Sequence, residues 1–86
     1  MTPAQLRMAR AATRLGVREI AELAGVAPYT VSRFENGQGD LRLGTAEKLK
    51  AVFRRLGVRF LDDDGTGAGI RFQPQPRSAE GEVEGS

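Results

Sequence analysis

The sequence of 86 residues contains no cysteine and no histidine. Disulfides, thiolate nucleophiles, thiolate metal ligands and imidazole acid–base chemistry are therefore excluded together. The apolar runs are only a few residues long, whereas a membrane-spanning helix needs roughly 20 apolar residues, and the first residues lack the apolar segment of a signal peptide. We expect a cytoplasmic chain with one small core, which is not an enzyme and needs no cofactor.

Charge is unevenly distributed along the chain, although the net charge is only +2. Residues 1–61 carry eleven basic and five acidic side chains, a balance of +6, whereas residues 62–86 carry two basic and six acidic ones, a balance of −4. Eleven of the thirteen cations are arginine, whose guanidinium matches the geometry of phosphate oxygens. A polyanionic partner suits residues 1–61, but a general arginine bias on a solvated surface explains the same composition.

Two short helices are predicted in the first 25 residues from apolar residues at helical spacing. The first begins with Thr2 as its N-cap and Pro3 at the first helical position, and it runs to about residue 14. The second covers residues 17–24, where Glu19 compensates for a weak N-cap at Gly16. Gly25 ends it, because glycine adopts positive φ without strain.

Two further helices follow. The third covers residues 28–35, with Val31 and Phe34 pointing inward and the residues between them facing out. The fourth runs from about Leu43 to residue 56 and is ended by Gly57. Inward-facing residues are predicted at helical spacing in the second helix (Ile20, Leu23, Ala24) and in the fourth (Leu43, Ala46, Leu49, Val52, Phe53, Leu56).

After residue 57 the apolar period changes to two, which predicts a β-hairpin with a long loop over residues 58–72. A lone two-stranded ribbon is marginal in water, so Phe60, Ile70 and Phe72 need cover. A second copy of the chain can supply it, which makes the hairpin a dimerisation element, and so can the chain's own fourth helix. The acidic run at 62–64 is not expected to bind a metal, and residues 73–86 are too polar to order themselves.

The segment AELAGVAPYTVSRFENG, residues 21–37, has the spacing of a helix-turn-helix. Apolar residues stand at 20, 26, 31 and 34. Ala21 is small where the third helix crosses the second, Gly25 makes the sharp turn, and the apolar residues at 26, 31 and 34 clamp the third helix to the first two. An ordinary pair of helices in a small bundle is the alternative. The combined spacing of the small residue, the glycine and the apolar residues favours the helix-turn-helix.

This segment carries a resemblance that extends over residues 4–57. These residues resemble the phage-repressor/Cro type of helix-turn-helix, the xenobiotic-response-element family of bacterial transcriptional regulators. The resemblance implies a mainly α fold, with a four-helix DNA-binding domain over residues 1–57 followed by the hairpin. It also implies a homodimeric repressor on double-stranded DNA with a palindromic site, whose third helix enters the major groove.

Carried over position by position, the resemblance implies base contacts from four residues of the third helix: Pro28, Tyr29, Thr30 and Arg33. Arginine can hold both acceptors of guanine with two hydrogen bonds, although a helix salt bridge or plain solvent exposure would also account for Arg33. Tyr29 can touch a thymine methyl group with its ring or a phosphate with its hydroxyl.

The resemblance further implies phosphate contacts from Val17, Arg18, Ser32, Asn36, Gln38 and Arg42. Position 17 is apolar where the family often has a polar residue, so free amides or Arg18 would substitute there; Arg42 can equally be solvated surface. Ala27 replaces the usual serine cap of the third helix, at a cost of about 0.5–2 kcal/mol. Arg10 and Glu35 match positions that often form a partly buried ion pair.

Two functions remain open from the sequence. The first is a sequence-specific DNA-binding regulator, with a repressor favoured. The second is an antitoxin or bridging module of the same fold, in which the hairpin and the acidic residues bind another protein and DNA contact is secondary. An enzyme ranks below both, because no nucleophile, base and oxyanion donors can be assembled.

Overall fold

The computed structural model describes residues 1–74. Four helices are followed by one antiparallel hairpin, so the predicted mainly α fold with a C-terminal hairpin is confirmed. The elements in chain order are α1 (Pro3–Thr13), α2 (Val17–Ala24), α3 (Pro28–Glu35), α4 (Leu43–Arg55), β1 (Val58–Leu61) and β2 (Gly69–Phe72). Among these residues, no helix combines the length and the apolar character needed to cross a bilayer.

The first two helices begin with side-chain caps. At the start of α1 the Thr2 hydroxyl accepts the backbone N–H of Gln5, and the Gln5 side-chain oxygen accepts the N–H of Thr2. This is a complete capping box. The predicted cap of α2 is confirmed, because the Gly16 N–H donates to the Glu19 carboxylate at 2.8 Å. By contrast, α3 and α4 begin at Ala27 and Arg42 without a side-chain cap.

One hydrophobic core joins all four helices and the first strand. The helix-turn-helix clamp is part of it, because Ala21 is fully buried where α2 meets α3 and the core-facing side of α3 is buried beside it. The core residues are Leu6, Ala9, Ile20, Ala21, Val31, Phe34, Leu49, Val52, Phe53 and Val58.

Two residues that the periodicity placed inward lie on the surface, and for them the prediction is wrong. The side chain of Leu23 is 54% exposed and that of Leu43 is 78% exposed. Residues 20 and 21 form the buried side of α2, so Leu23 falls at the edge of its apolar stripe. Leu43 occupies the first position of α4, whose buried residues begin only at Leu49.

The hairpin packs against its own chain. β1 and β2 pair with Val58 opposite Phe72 and with Leu61 opposite Gly69. The ring of Phe60 meets that of Phe53 edge to face, with centroids 5.8 Å apart, and Phe60 and Ile70 both pack on the core. Of the two sources of cover considered above, these two residues use the chain's own helices, whereas Phe72 remains 36% exposed.

A buried glutamine that the sequence did not single out anchors the hairpin to α1. Gln5 is almost fully buried, and its side-chain nitrogen donates to the carbonyls of Leu61 and Gly69, each at 2.9 Å. Because its oxygen accepts the Thr2 N–H, the whole amide is satisfied, as a buried amide must be.

Pairing continues one residue past β2. The Gln73 N–H donates to the carbonyl of Gly57 at 2.9 Å, so residue 73 extends the hairpin, whereas the predicted tail begins at that residue. The remainder of that predicted tail, from residue 75 onward, lies outside the described residues.

Candidate nucleic-acid interface

The third helix has two chemically distinct faces. Val31 and Phe34 are buried on one face, while Tyr29 on the other is 73% exposed. Pro28 and Arg33 are also exposed, and Thr30 and Ser32 are half-buried. The predicted base-contacting residues therefore lie on the accessible side or at its margin, and the hairpin, which packs on α1 and α4, leaves that side open.

The orientation of α3 is set by the turn that precedes it. Gly25 adopts a left-handed conformation with φ of 71°, and the N–H of Val26 donates to the carbonyl of Ala21 at 2.9 Å. Val26 packs against the core. This closed turn brings Pro28 to the first position of α3, where the fixed φ of proline matches the φ of a helix. The turn and Pro28 together fix where α3 begins and therefore which of its residues are exposed.

Arg10 and Glu35 form an ion pair between α1 and the end of α3. The guanidinium is bidentate, with Nε donating to one carboxylate oxygen at 2.6 Å and Nη2 to the other at 2.5 Å. Its third nitrogen donates to the carbonyl of Leu15, and Glu35 is only 8% exposed. The hydrogen bond to Glu35 raises the pKa of Arg10 above its ordinary value, against the opposing effect of burial.

A second arginine of α1 reaches the same place. Nη1 of Arg7 donates to the backbone carbonyl of Glu35 at 2.6 Å, which satisfies one of the carbonyls left unpaired at a helix C-terminus. Nothing in the sequence pattern singled out Arg7 for this contact. Two arginines of α1 therefore hold the C-terminal end of α3.

Arg33 lies folded along the surface of α3. Its Nη2 donates to the backbone carbonyl of Gln38 at 2.7 Å, and its guanidinium carbon lies 5.8 Å from the centroid of the Tyr29 ring. This distance is within the range of a cation–π contact. Among residues 1–74 no acidic side chain pairs with Arg33, so the salt bridge considered as its alternative role is not formed there.

The backbone amides after α3 are already engaged. The N–H groups of Asn36, Gly37 and Gln38 each donate to carbonyls of α3, at 3.0, 3.0 and 2.8 Å. These three amides are therefore occupied within the fold. The side chains of Asn36 and Gln38 are exposed, and they are what this turn offers to a ligand.

The start of α2 offers different groups. Arg18 is exposed and Val17 is half-buried against the core, and within residues 1–74 no acceptor is found for their backbone N–H groups. Arg18 lines one shallow groove with Glu22, Val26 and Pro28. The structure thus places Arg18 beside the beginning of α3, whereas Arg42 is exposed at the N-cap of α4.

The acidic loop of the hairpin is organised around its own backbone. One carboxylate oxygen of Asp63 accepts the N–H groups of Gly65 and Gly67, and Asp64 accepts the N–H and hydroxyl of Thr66. These hydrogen bonds lower the pKa of both carboxyl groups. In the part of the chain that the structure describes, no group of three or more acidic residues converges to hold a metal ion.

The chain is similar to a known family and to a known regulator. Residues 4–59 match the model of a family described as the helix-turn-helix domain. Over 53 residues the chain is 40% identical to the HTH-type transcriptional regulator PtxS of Pseudomonas plecoglossicida. That alignment covers 60% of this chain and 16% of the relative, so the chain spans only a small part of that protein's length.

Proposed function

This chain belongs to the helix-turn-helix domain family, and on that premise we propose that it regulates transcription by binding a specific DNA sequence through α3. One observation carries the proposal: Tyr29 and Arg33 face solvent along one side of α3 while Val31 and Phe34 lock its other side into the core. The name of the 40% identical relative, a transcriptional regulator, supports the same assignment.

In this proposal α3 lies in the major groove, where a helix of this kind reads base edges. Arg33 contacts guanine through its fork of N–H donors, an interaction worth about 1–3 kcal/mol of discrimination against other bases. Tyr29 contacts a thymine methyl group or a phosphate. Pro28 and Thr30, at the start of the helix, complete the set of residues that approach the bases.

Phosphate contacts surround this row and position the helix. Arg18 and the free amides at the start of α2 bind the backbone on one side of the groove, as helix N-termini commonly do. Arg42 and the side-chain amides after α3 bind it on the other side. The full set proposed is Val17, Arg18, Ser32, Asn36, Gln38 and Arg42.

We further propose that the chain acts as a homodimer on a palindromic site and represses by occupying a promoter. A two-fold symmetric dimer places its two reading helices about one DNA turn apart, roughly 34 Å. Within residues 1–74 neither outer edge of the two-stranded hairpin pairs with a further strand, and Phe72 on β2 is partly exposed. Such edges favour pairing with a second copy, and sedimentation at micromolar concentration tests for the dimer.

The decisive experiment is selection of bound fragments from a pool of random duplexes. We expect one enriched, palindromic motif that contains a guanine in each half, and an affinity that falls steeply as salt rises. Arg33→Ala should remove the preference at that guanine. Arg55→Ala is the matched control, because it removes an exposed arginine of α4 that is not proposed to contact DNA or a second copy, and it should leave the motif unchanged.

Arg33→Ala and a variant of the hairpin, Phe72→Ala, together separate binding of DNA from binding of another protein. The competing function is an interaction module, such as an antitoxin, in which α3 is not the reading element. Unchanged DNA occupancy by Arg33→Ala, together with loss of a protein partner by Phe72→Ala, would favour that module. In both proposals the chain acts by binding and performs no catalysis.

A further inference from the structure

We propose that Gly39 is a specificity-determining positioning residue, because its missing side chain leaves the space in which the Arg33 guanidinium rests. This inference depends on the proposed reading of a base by Arg33. It assigns to the turn after α3 a role in aiming that side chain, which neither the spacing of the motif nor the resemblance indicates.

The close contact is specific to Arg33. A Cβ atom added at Gly39 would lie 2.8 Å from Nη2, 3.1 Å from Cζ and 3.3 Å from Nη1 of Arg33. Its backbone does not itself require glycine, because its φ lies outside the left-handed region, unlike that of Gly37 at 74°. Space for the guanidinium is therefore the structural reason for a small residue at position 39.

Three groups together form what we call the arginine seat: the ring of Tyr29, the carbonyl of Gln38 and the backbone of Gly39. The ring contacts the guanidinium at 5.8 Å, the carbonyl accepts from Nη2 at 2.7 Å, and Gly39 lacks the Cβ atom that would meet Cζ and both Nη atoms. The seat restricts a long side chain that is otherwise exposed.

Chemistry allows the seated arginine to read a base without leaving the seat. A guanidinium has five N–H donors, and the Gln38 carbonyl takes one of the two on Nη2. The other N–H of Nη2, with a neighbouring nitrogen, still forms a two-pronged fork of the kind that matches guanine. Ordering an arginine side chain lowers affinity by about tenfold, and the seat imposes that order before DNA arrives.

The test compares two glycine-to-alanine variants of the full chain. Gly39→Ala should retain the wild-type melting temperature, because the displaced atoms are the far end of a flexible side chain. Its affinity for the selected duplex should fall by about tenfold, with unchanged affinity for an unrelated duplex. Gly44→Ala is the control, because nothing lies within 4 Å of a Cβ added there, and it should bind as the wild type does.

Two further measurements test whether Gly39 acts through the Arg33 side chain. In the free protein, the NMR signal of the Arg33 Nε–H group and those of the Tyr29 ring should shift in Gly39→Ala and stay in place in Gly44→Ala. Gly39→Ala should also add nothing to the loss caused by Arg33→Ala, as expected when both changes act through one side chain.

Opposite outcomes are distinguishable. If Arg33→Ala loses the motif while Gly39→Ala binds like the wild type, the seat has no role in reading and the inference alone is overturned. Unshifted Arg33 signals in Gly39→Ala would overturn it as well. If Arg33→Ala itself keeps the motif, the proposed base contact fails and the role of Gly39 fails with it.

Discussion

The two ends of α1 hold their neighbours by different chemistry. At its N-terminal end Gln5, a neutral amide, donates to two carbonyls of the hairpin. Toward its C-terminal end Arg10, a cation, binds the carboxylate of Glu35 on α3. Both anchors are polar, and both join α1 to an element far along the chain. Only one of them depends on a pair of opposite charges.

This difference determines how each anchor fails. Removing one partner of a partly buried ion pair leaves a charge without compensation, which costs more than the pair itself contributes. Removing a neutral amide leaves carbonyls without donors, at about 1–3 kcal/mol for each one that is buried. The cationic anchor holds the proposed reading helix and the neutral one holds the hairpin, so the two failures should also appear in different parts of the molecule.

The largest effect is expected from Glu35→Ala. Arg10 would remain partly buried without its carboxylate, so the free energy of unfolding should fall by about 3–5 kcal/mol, measured by chemical denaturation. Replacing both Arg10 and Glu35 with methionine should cost less than Glu35→Ala alone. A loss below about 1 kcal/mol in Glu35→Ala would mean that the pair behaves like a surface salt bridge.

Gln5→Leu should have the next largest effect, about 2–3 kcal/mol, because it removes the donors to Leu61 and Gly69 as well as part of the α1 cap. Hydrogen exchange should show the loss of protection concentrated in the hairpin. Thr2→Ala is the control, since it removes only the cap and should cost about 1 kcal/mol. Equal losses in the two variants would show that the hairpin contacts contribute nothing.

The N-terminal end of α3 has no side-chain cap, and adding one should stabilise the protein. Arginines hold the C-terminal end of this helix, but its N-cap is Ala27, which has an extended backbone and no side-chain hydrogen bond. Ala27→Ser should stabilise the protein by about 1 kcal/mol, seen as a higher melting temperature. Ala11→Ser, the same change at an exposed position inside α1, should instead be slightly destabilising.

The smallest effect on stability is expected in the acidic loop, which lies between Leu61 and Gly69, the two residues whose carbonyls Gln5 binds. Because N–H groups of Gly65 and Gly67 lower the pKa of Asp63, its contribution to stability is present above the unfolded pKa of about 3.9. It is lost as the pH falls through the lower folded value. The amide NMR signals of Gly65 and Gly67 should therefore change on acidification while β1 stays protected.

Asp63→Asn should flatten that pH dependence, whereas Asp62→Asn, which lies outside these hydrogen bonds, should preserve it. If acid released the strands together with the loop, the hairpin would be held by the loop rather than by Gln5. Gln5 would then not be the anchor of the hairpin.

Residues that act on near neighbours were the easiest to predict from the chain. Thr2 caps a helix that begins one residue later, Glu19 reaches the N–H of Gly16, and Gly25 ends α2 with positive φ. Each of these roles involves residues within one helical turn. The family resemblance extended this range to one distant pair, Arg10 and Glu35.

Periodicity was less reliable at the margins of helices. Leu23 and Leu43 have apolar side chains at helical spacing, yet both are exposed, because spacing identifies a stripe but not how far the neighbouring elements cover it. The same limit applies to the hairpin, whose apolar residues at Phe60 and Ile70 required cover without indicating which surface supplies it.

Residue order therefore sufficed for the helices, their caps, the turn at Gly25, the hairpin and the helix-turn-helix motif, since all of them arise from interactions between residues close along the chain. Packing alone decided that Gln5 meets carbonyls 56 and 64 residues away, that Arg7 caps α3 and that Gly39 borders Arg33. Such contacts involve backbone atoms, which every residue type carries, so no side-chain pattern distinguishes the partner until the chain has folded.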